Sequence, residues 1–333
     1  MLISIVVPVY NVKDYLLKCL DSLAKQTLKD YEVIVVDDGS TDGCSRLVDE
    51  YCRNKNNFFV YHKQNGGLMS AWLEGVKHIS GKYVGFVDSD DYVESTMFEK
   101  LVHCAEKYNC DIVMCDRYDV CKDNIKISKS CVKEGLYEGK EIEKIHRAIL
   151  PTFNGEHITN ARWNKIFKTE IFLENIKYCE HKSRICEDRF ITPACVFSSK
   201  SFFYLGEPLY YYVQREGSNH SKASEKLQDA MELLYKIQKQ VLIDYGLQEK
   251  YGSLVERANL NYLRLMIERN FAGKGNKKIR VKLAERILKN KCYRYCIKTY
   301  KKDLDGKLGI VLRMLFKVNN PYIFAAICKY VGK

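Results

Sequence analysis

Three carboxylates fall within four positions at the end of an apolar run, in the stretch KYVGFVDSDDY (82–92). The apolar run is typical of a buried strand, and Asp88, Asp90 and Asp91 follow it directly. Because an open α/β sheet binds its ligands at the carboxyl ends of the strands, these acids could hold a hard divalent cation through oxygen ligands. A surface turn is the alternative interpretation, since Asp and Ser are common in turns.

Two earlier segments also end in polar residues after an apolar run. LISIVVPVY (2–10) and YEVIVVDDGSTD (31–42) have the nearly continuous apolar character of strands that helices cover on both faces. One amphipathic helix pattern lies between them and another follows, which predicts a βαβ arrangement with a mostly parallel sheet. The polar ends of these strands should then converge on one edge of the sheet.

Charge divides the chain of 333 residues into two parts. Residues 221–333 contain 25 Lys and Arg against 10 Asp and Glu, a formal charge of +15, whereas residues 1–220 carry −3. Strand patterns also stop near Gly217, and amphipathic helices follow. We therefore expect an α/β catalytic domain at 1–220, with halves at about 1–120 and 121–220, and a basic helical C-terminal domain at 221–333.

The basic domain predicts contact with a polyanion. Its helices contain no recognisable nucleic-acid recognition motif, so we expect no nucleic-acid partner. An anionic membrane surface is the candidate partner, with the amphipathic segment from Lys307 to Lys333 as the docking element. Helix-on-helix packing with a solvated basic outer face explains the same pattern, and both interpretations stay open.

Signals for export or membrane insertion are missing from the sequence. The N-terminus has no secretory apolar region, and no apolar run approaches the roughly 18 residues that span a bilayer. The 14 cysteines include no Cys-x-x-Cys spacing. The expected location is the cytoplasm, with reduced thiols and peripheral association with the inner face of the plasma membrane.

Five ordered motifs now identify a family. PVYN, VDDGSTD, QNGG, VDSDDY and a later ED pair resemble those of the inverting nucleotide-sugar glycosyltransferases of family 2, over about residues 1–220. The resemblance implies the GT-A fold, a Rossmann-like α/β fold whose mostly parallel central sheet is flanked by helices, here with a C-terminal all-α appendage. It also implies transfer of a hexosyl or N-acetylhexosaminyl group from a nucleotide sugar, most often a UDP-sugar, to a hydroxyl of a glycan or lipid-linked acceptor in polysaccharide synthesis.

The same resemblance assigns donor-side roles. Asp88, Asp90 and Asp91 match the DxD region and would bind Mn²⁺ or Mg²⁺, since oxygen-only ligands favour these ions over zinc. The residues expected to bind the nucleotide sugar are Pro8, Tyr10, Asn11, Asp37, Asp38, Asn65, Gly66, Gly67, Asp88 and Ser89. Asp38 would accept a hydrogen bond from the base, and the Tyr10 ring would pack on it. An aromatic that only packs at a strand end is the alternative for Tyr10.

The ED pair is expected on the acceptor side. Inversion requires attack from the face opposite the leaving group, so a carboxylate must take the proton of the acceptor hydroxyl. Asp188 matches the family's base, with Glu187 beside it; two acids that favour a helix N-terminus are the alternative. Weaker likenesses suggest acceptor or loop contacts for Trp163, Asn164, Lys165, Arg215 and His220.

One position departs from the family pattern. After QNGG the family often carries an Arg that helps to hold the donor, whereas this chain has Trp72. An indole cannot supply the fork of donors that a guanidinium offers to phosphate. The resemblance therefore implies that the hold on the donor differs here.

Other protein classes fit the pattern less well. A sugar-phosphate nucleotidyltransferase would need a Gly-rich loop after the first strand, and PVYNVKDY contains no Gly. A phospho-receiver domain is much shorter than this chain. The non-enzymatic alternative is a catalytically inactive nucleotide-sugar-binding or membrane-scaffold protein, against which the presence of Asp88, Asp90 and Asp188 argues.

Overall fold

The computed structural model describes residues 1–122, 124–151, 157–179, 187–214, 225–271, 277–302 and 306–331. They form two compact units, one within 1–146 and 159–216 and the other within 147–158 and 217–333. Within the second unit, the Arg147 guanidinium carbon lies 5.8 Å from the Tyr251 ring centroid, and the domain boundary expected at residue 220 stays a prediction. The expected halves at about 1–120 and 121–220 stay a prediction.

The first unit is built on one sheet. Its strands are β1 Ile3–Val9, β2 Tyr31–Asp37, β3 Phe58–His62, β4 Tyr83–Phe86, β5 Tyr92–Val93, β6 Ile112–Cys121, β7 Asn124–Ser128, β8 Gly135–Glu138, β9 Lys165–Lys168 and β10 Ser201–Val213. Their order is β3-β2-β1-β4-β9-β6-β10-β5, with β7 beside β6 and β8 beside β10. Every residue of β1, β2 and β4 is buried, as expected of strands covered on both faces.

Neighbouring strands run in the same direction as far as β4, and the next strand in the sheet, β9, runs in the opposite direction. β1 pairs in parallel with β2 and β4, and β2 pairs in parallel with β3. β9 lies antiparallel between β4 and β6, whereas β6 and β10 are parallel. The sheet is therefore parallel in its N-terminal half and mixed beyond it. The parallel half brings the C-terminal ends of β1, β2 and β4 to the same edge, as the sequence predicted.

Amphipathic helices accompany these strands. They are α1 Lys13–Ala24, α2 Cys44–Cys52, α3 Leu68–Val76, α4 Met97–Tyr108, α5 Ile142–Ala148, α6 Thr169–Asn175 and α7 Asp188–Ser198. In α1 the apolar stripe is buried at helical spacing, through Leu16, Cys19, Leu20 and Leu23.

The middle of the chain contains short strands at the margin of the sheet. The pattern of 127–142 is typical of an exposed hairpin or edge strand, and there β8 pairs with β10 while β7 pairs with β6. Lys122 turns the chain back at φ 50°, which lets β7 fold onto the strand that precedes it. Helix α5 begins at Ile142, after Gly139, which has the left-handed φ of 53°.

The second unit consists of helices around their own core. Beyond residue 224 they are α8 Glu225–Asp244, α9 Gln248–Phe271, α10 Lys277–Lys289, α11 Lys291–Thr299, α12 Gly306–Val318 and α13 Pro321–Val331. Leu263 and Phe271 of α9, Ile287 of α10, Leu315 of α12 and Phe324 of α13 belong to this core. Among the described residues, no helix has both the length and the apolar character needed to cross a bilayer.

Candidate functional site

Asp37, the last residue of β2, anchors the turn that follows the strand. Its Oδ1 accepts from the Ser40 N–H at 3.0 Å, and its Oδ2 accepts from the Ser45 hydroxyl at 2.6 Å and lies 3.0 Å from His62 Nδ1. Burial raises the pKa of Asp37, but the hydrogen bonds from Ser40, Ser45 and His62 outweigh it and hold the pKa below its ordinary value. Asp37 is therefore an ionised acid with its oxygens engaged by the protein.

Asp38 organises the QNGG turn. Its Oδ1 accepts from Gly66 N–H at 2.9 Å and Lys63 Nζ at 2.8 Å, and its Oδ2 accepts from Gly67 N–H at 2.7 Å. Gly67 has a φ of 91°, which only glycine adopts readily. Asn65 Nδ2 completes the turn by donating to the Asp38 carbonyl at 3.1 Å. The structure thus brings Asp38 to the expected turn, and its hydrogen bond to a base stays a prediction.

The end of β1 lies beside this turn. Pro8 is buried within the strand, whereas the Tyr10 side chain is 48% exposed. Asn11 has a φ of 50°, and its Oδ1 accepts from the Thr41 N–H at 2.8 Å, which joins the segments that follow β1 and β2. Tyr10 therefore offers an uncovered ring at the sheet edge where the polar strand ends meet.

Asp91 points into the protein. Its Oδ2 accepts from the Tyr210 hydroxyl at 2.7 Å, and its Oδ1 accepts from the Val213 N–H at 2.7 Å. Burial, together with the charges of Asp88 and Asp90, raises the pKa of Asp91 well above its ordinary value. Both oxygens tie the acidic turn to β10, and the metal role expected for Asp91 stays a prediction. Ser89 is also buried.

Asp88 has a different environment. Its side chain is 25% exposed, and its Oδ1 is enclosed without a hydrogen bond from any described residue. Burial raises the pKa of Asp88 to about 7; Arg162 opposes the rise, and Asp188, Asp90 and Glu187 add to it. The Asp88 side chain is partly exposed and lies near other acids, so its carboxylate fits a divalent cation, which would favour the ionised form.

The ligands for such an ion are few. In the described ranges no group of three His, Cys, Asp or Glu side chains gathers as a metal cluster. Mg²⁺ commonly binds through one or two carboxylates and completes its shell with water and substrate phosphates. Asp88 and the partly buried Asp90 fit that pattern.

Asp188 reaches this region from another element. It begins α7, its side chain is 28% exposed, and its Oδ1 accepts a hydrogen bond from Arg162 Nη1. Arg162 Nη2 lies 3.5 Å from Asp88 Oδ1. Burial raises the pKa of the neighbouring Glu187, and Asp188 adds to the rise. One guanidinium therefore brings the expected metal-side acid and the expected base into a single site.

Arg162 was not among the site residues predicted from the sequence. Its side chain is only 1% exposed, and a fully buried arginine is rare unless it is paired. Nothing in the local pattern ARWNK distinguishes a buried arginine from a surface one. Its partners reveal it, and they lie 26 and more residues away in the chain.

Asn164 and Lys165 lie in the interior. Asn164 Nδ2 donates to the Cys115 carbonyl at 2.7 Å, and Lys165 Nζ donates to the carbonyls of Thr159 and Ala161, each at 2.8 Å. Burial lowers the pKa of Lys165 to about 7. Both side chains hold the loop before β9, and the acceptor contacts expected for them stay a prediction.

Trp163 is also packed inside. Its ring stacks on Tyr210 with centroids 4.3 Å apart and on Tyr212 at 5.5 Å, and only 7% of the residue is exposed. The ring thus packs inside the protein, and the acceptor contact expected for Trp163 stays a prediction. Arg215 and His220 lie outside the described residues.

Trp72 fills the core under the site. Its ring packs edge-on against Phe86 and Phe172, with centroids 6.1 and 5.9 Å away. The Arg162 guanidinium carbon lies 5.3 Å from the Trp72 ring centroid. The chain therefore has a guanidinium next to the position where the family often carries Arg, but it comes from the loop before β9 and not from α3.

Similar known proteins independently support the family that the motifs indicate. The model of glycosyl transferase family 2 matches residues 4–174. The chain is 33% identical over 222 residues to the uncharacterized glycosyltransferase EpsJ of Bacillus subtilis (strain 168), covering 65% of this chain and 62% of EpsJ. It is 31% identical over 248 residues to glycosyltransferase GlyA of Streptococcus pneumoniae serotype 4, covering 69% of this chain and 33% of GlyA. The chain thus spans less than two thirds of either relative.

Solved structures show the same fold. The crystal structure of S. aureus TarS 1–349 has a TM-score of 0.70 at 20% identity and covers 100% of this chain and 89% of its own. Its complex with UDP-GlcNAc has a TM-score of 0.60 at 22% identity, covering 91% and 92%. This likeness confirms the GT-A fold. With the family model matched over just more than half of its length, the chain belongs to glycosyl transferase family 2.

Proposed function

We propose that this protein is an inverting, metal-dependent glycosyltransferase that moves a sugar from a UDP-sugar to a hydroxyl of a glycan or lipid-linked acceptor in polysaccharide synthesis. The observation that carries the proposal is the guanidinium of Arg162, which joins Asp88 after β4 to Asp188 at the start of α7. TarS, solved in complex with UDP-GlcNAc, supports an N-acetylhexosaminyl donor. The Tyr10 ring would pack on the base, and its exposure supports this role.

Asp188 has the geometry of a general base. Arg162 engages its Oδ1, and the side chain is still partly exposed, so Oδ2 is the oxygen for the acceptor hydroxyl. As that hydroxyl oxygen bonds to the anomeric carbon, its proton passes to Oδ2. The bond from the anomeric carbon to the β-phosphate oxygen breaks, and its electron pair leaves with UDP. Attack opposite the leaving group inverts the anomeric centre.

Asp88 and Asp90 are the residues that would hold Mn²⁺ or Mg²⁺. When bound, the ion neutralises the charge that develops on the leaving diphosphate. Asp91 fixes the acidic turn through Tyr210 and Val213, so the two ligand carboxylates are presented from a rigid turn. Asp38 likewise fixes the turn at Gly66 and Gly67.

The donor class is tested by stability and turnover together. UDP-GlcNAc with Mn²⁺ should raise the melting temperature, because a ligand at 100 times its Kd stabilises the folded state by about 2.7 kcal/mol. UDP-glucose and GDP-mannose under the same conditions rank the donors, and UDP release with and without an acceptor glycan measures transfer. No shift with any UDP-sugar would contradict the donor proposal. A higher melting temperature without any UDP release, whether by transfer to the acceptor or by hydrolysis, would favour a catalytically inactive binding protein.

Peripheral membrane binding extends the proposal, and the two C-terminal helices support it. Helix α12 exposes Ile310 and Met314, and α13 exposes Tyr322 and Ile327, although both helices also contribute to the core. Two apolar residues of the segment from Lys307 to Lys333, Leu315 and Phe324, belong to that core. The stretch 306–331 contains four Lys and Arg and no Asp or Glu, so its charge is complementary to an anionic surface.

Vesicle binding checks this extension. The protein should sediment with vesicles rich in phosphatidylglycerol but not with phosphatidylcholine, and less so at high salt, since each basic residue near the surface contributes about 1 kcal/mol. Met314→Glu with Ile327→Glu should abolish sedimentation. Ile243→Glu, at an exposed apolar position of α8, is the matched control and should keep it. Equal sedimentation of both variants, or none by the wild type, would leave packing as the explanation.

A further inference from the structure

Arg162 is enclosed more completely than its neighbours in the site. Its side chain is 1% exposed, whereas those of Asp88 and Asp188 are 25% and 28% exposed. The guanidinium carbon lies 5.3 Å from the ring centroids of both Trp72 and Phe86. Two aromatic rings therefore restrict where the guanidinium plane can lie.

The loop that carries Arg162 is equally restricted. Lys165 Nζ donates to the Thr159 and Ala161 carbonyls, which precede Arg162, and to Asn164 Oδ1, which follows it, each at 2.8 Å. Asn164 in turn donates to the Cys115 carbonyl of β6 at 2.7 Å. The backbone at Arg162 is thus fastened to the central sheet by buried hydrogen bonds.

Only part of the guanidinium is used by Asp188. Nη1 donates to Asp188 Oδ1, whereas Nη2 and Nε have no hydrogen-bond acceptor among the described residues. Nη2 instead faces Asp88 Oδ1 across 3.5 Å, and that oxygen receives no other hydrogen bond there. The arrangement fixes one oxygen of Asp188 firmly and holds Asp88 by charge alone.

We infer that Arg162 is a positioning residue for the transfer reaction: it fixes Asp188 through Oδ1 so that Oδ2 meets the acceptor hydroxyl, and it holds that base in register with Asp88. The inference rests on the proposed function. A carboxylate at the start of a helix can rotate about its last torsion, and a charge-assisted hydrogen bond selects one orientation. Because the guanidinium is itself locked by Trp72 and Phe86, the orientation is set before substrate binds.

Three variants test this role. Arg162→Met keeps an apolar stem against Trp72 but removes the donors, and kcat should fall about 10- to 100-fold with the KM for the donor near the wild-type value. Arg162→Lys keeps the charge without the planar fork and should restore part of kcat. Arg117→Met is the matched control: Arg117 Nε donates to Asp119 Oδ1 at 2.8 Å, its guanidinium carbon lies 5.8 Å from the Trp163 ring centroid, and kcat should stay near wild type.

A double-mutant cycle separates positioning from general damage. In the Asp188→Asn background, Arg162→Met should lower kcat little further, because the group that Arg162 positions no longer acts as a base. Losses that multiply, or a donor KM that rises as kcat falls, would overturn the inference. If Arg162→Met does not fold, a folded Arg162→Lys variant with wild-type kcat would overturn it as well. Wild-type kcat for Asp188→Asn alone would instead contradict the proposed function.

Discussion

We expect Asp188→Asn to lower kcat by roughly a hundredfold or more while the affinity for the UDP-sugar stays near normal, in line with the contribution of a general base. The amide oxygen can still accept from Arg162 Nη1, so the site keeps its packing while the proton acceptor is lost. UDP release at saturating acceptor measures kcat, and titration calorimetry with the donor measures affinity.

The control for this variant is an acid with the same helical position but no place in the site. Glu170 lies in the first turn of α6, as Asp188 does in α7, and it is exposed. Glu170→Gln should leave kcat unchanged if the helix dipole is its only partner. Loss of donor affinity in Asp188→Asn would move Asp188 from the base to the donor subsite. Retention of full kcat would remove it from the chemistry.

We expect Asp90→Ala to lower kcat/KM by roughly a hundredfold or more, a loss of about 2.7 kcal/mol of transition-state stabilisation, because the proposed ion at the diphosphate would lose a ligand. EDTA should abolish wild-type turnover, and Mn²⁺ or Mg²⁺ should restore it. Calorimetric titration of Mn²⁺ in the presence of UDP should show weaker binding to the variant, which is a readout independent of turnover.

Two further variants give this test its contrast. Asp91→Asn should lower the melting temperature, since it weakens the hydrogen bonds that hold the acidic turn to Tyr210 and Val213, and it should keep the metal requirement. Asp14→Ala removes an exposed acid from the first turn of α1 and should change neither property. Full turnover of Asp90→Ala, or of the wild type in EDTA, would contradict the metal-dependent mechanism.

Local sequence patterns predicted the fold well for strands that are covered on both faces. The apolar runs of β1, β2 and β4 admit few other structures, and their polar ends meet at one edge because parallel neighbours end together. The pattern was weaker beyond residue 120. There β8 pairs with β10, a strand more than 60 residues further along the chain, whereas β7 pairs with β6 just before it, and a hairpin and an edge strand share the same local signal.

The sequence by itself determined the family motifs and the acids at the strand ends. It also determined the division into an α/β part with a small negative charge and a strongly basic helical part. Only the tertiary structure decided which acid faces which way. Asp88 and Asp91 are three positions apart, yet Asp91 is bound by Tyr210 and Val213 from β10, whereas Asp88 faces Arg162. A buried carboxyl group needs a hydrogen-bond donor or an opposite charge close to it. Here those partners come from distant parts of the chain, so no local pattern can reveal which way each acid faces.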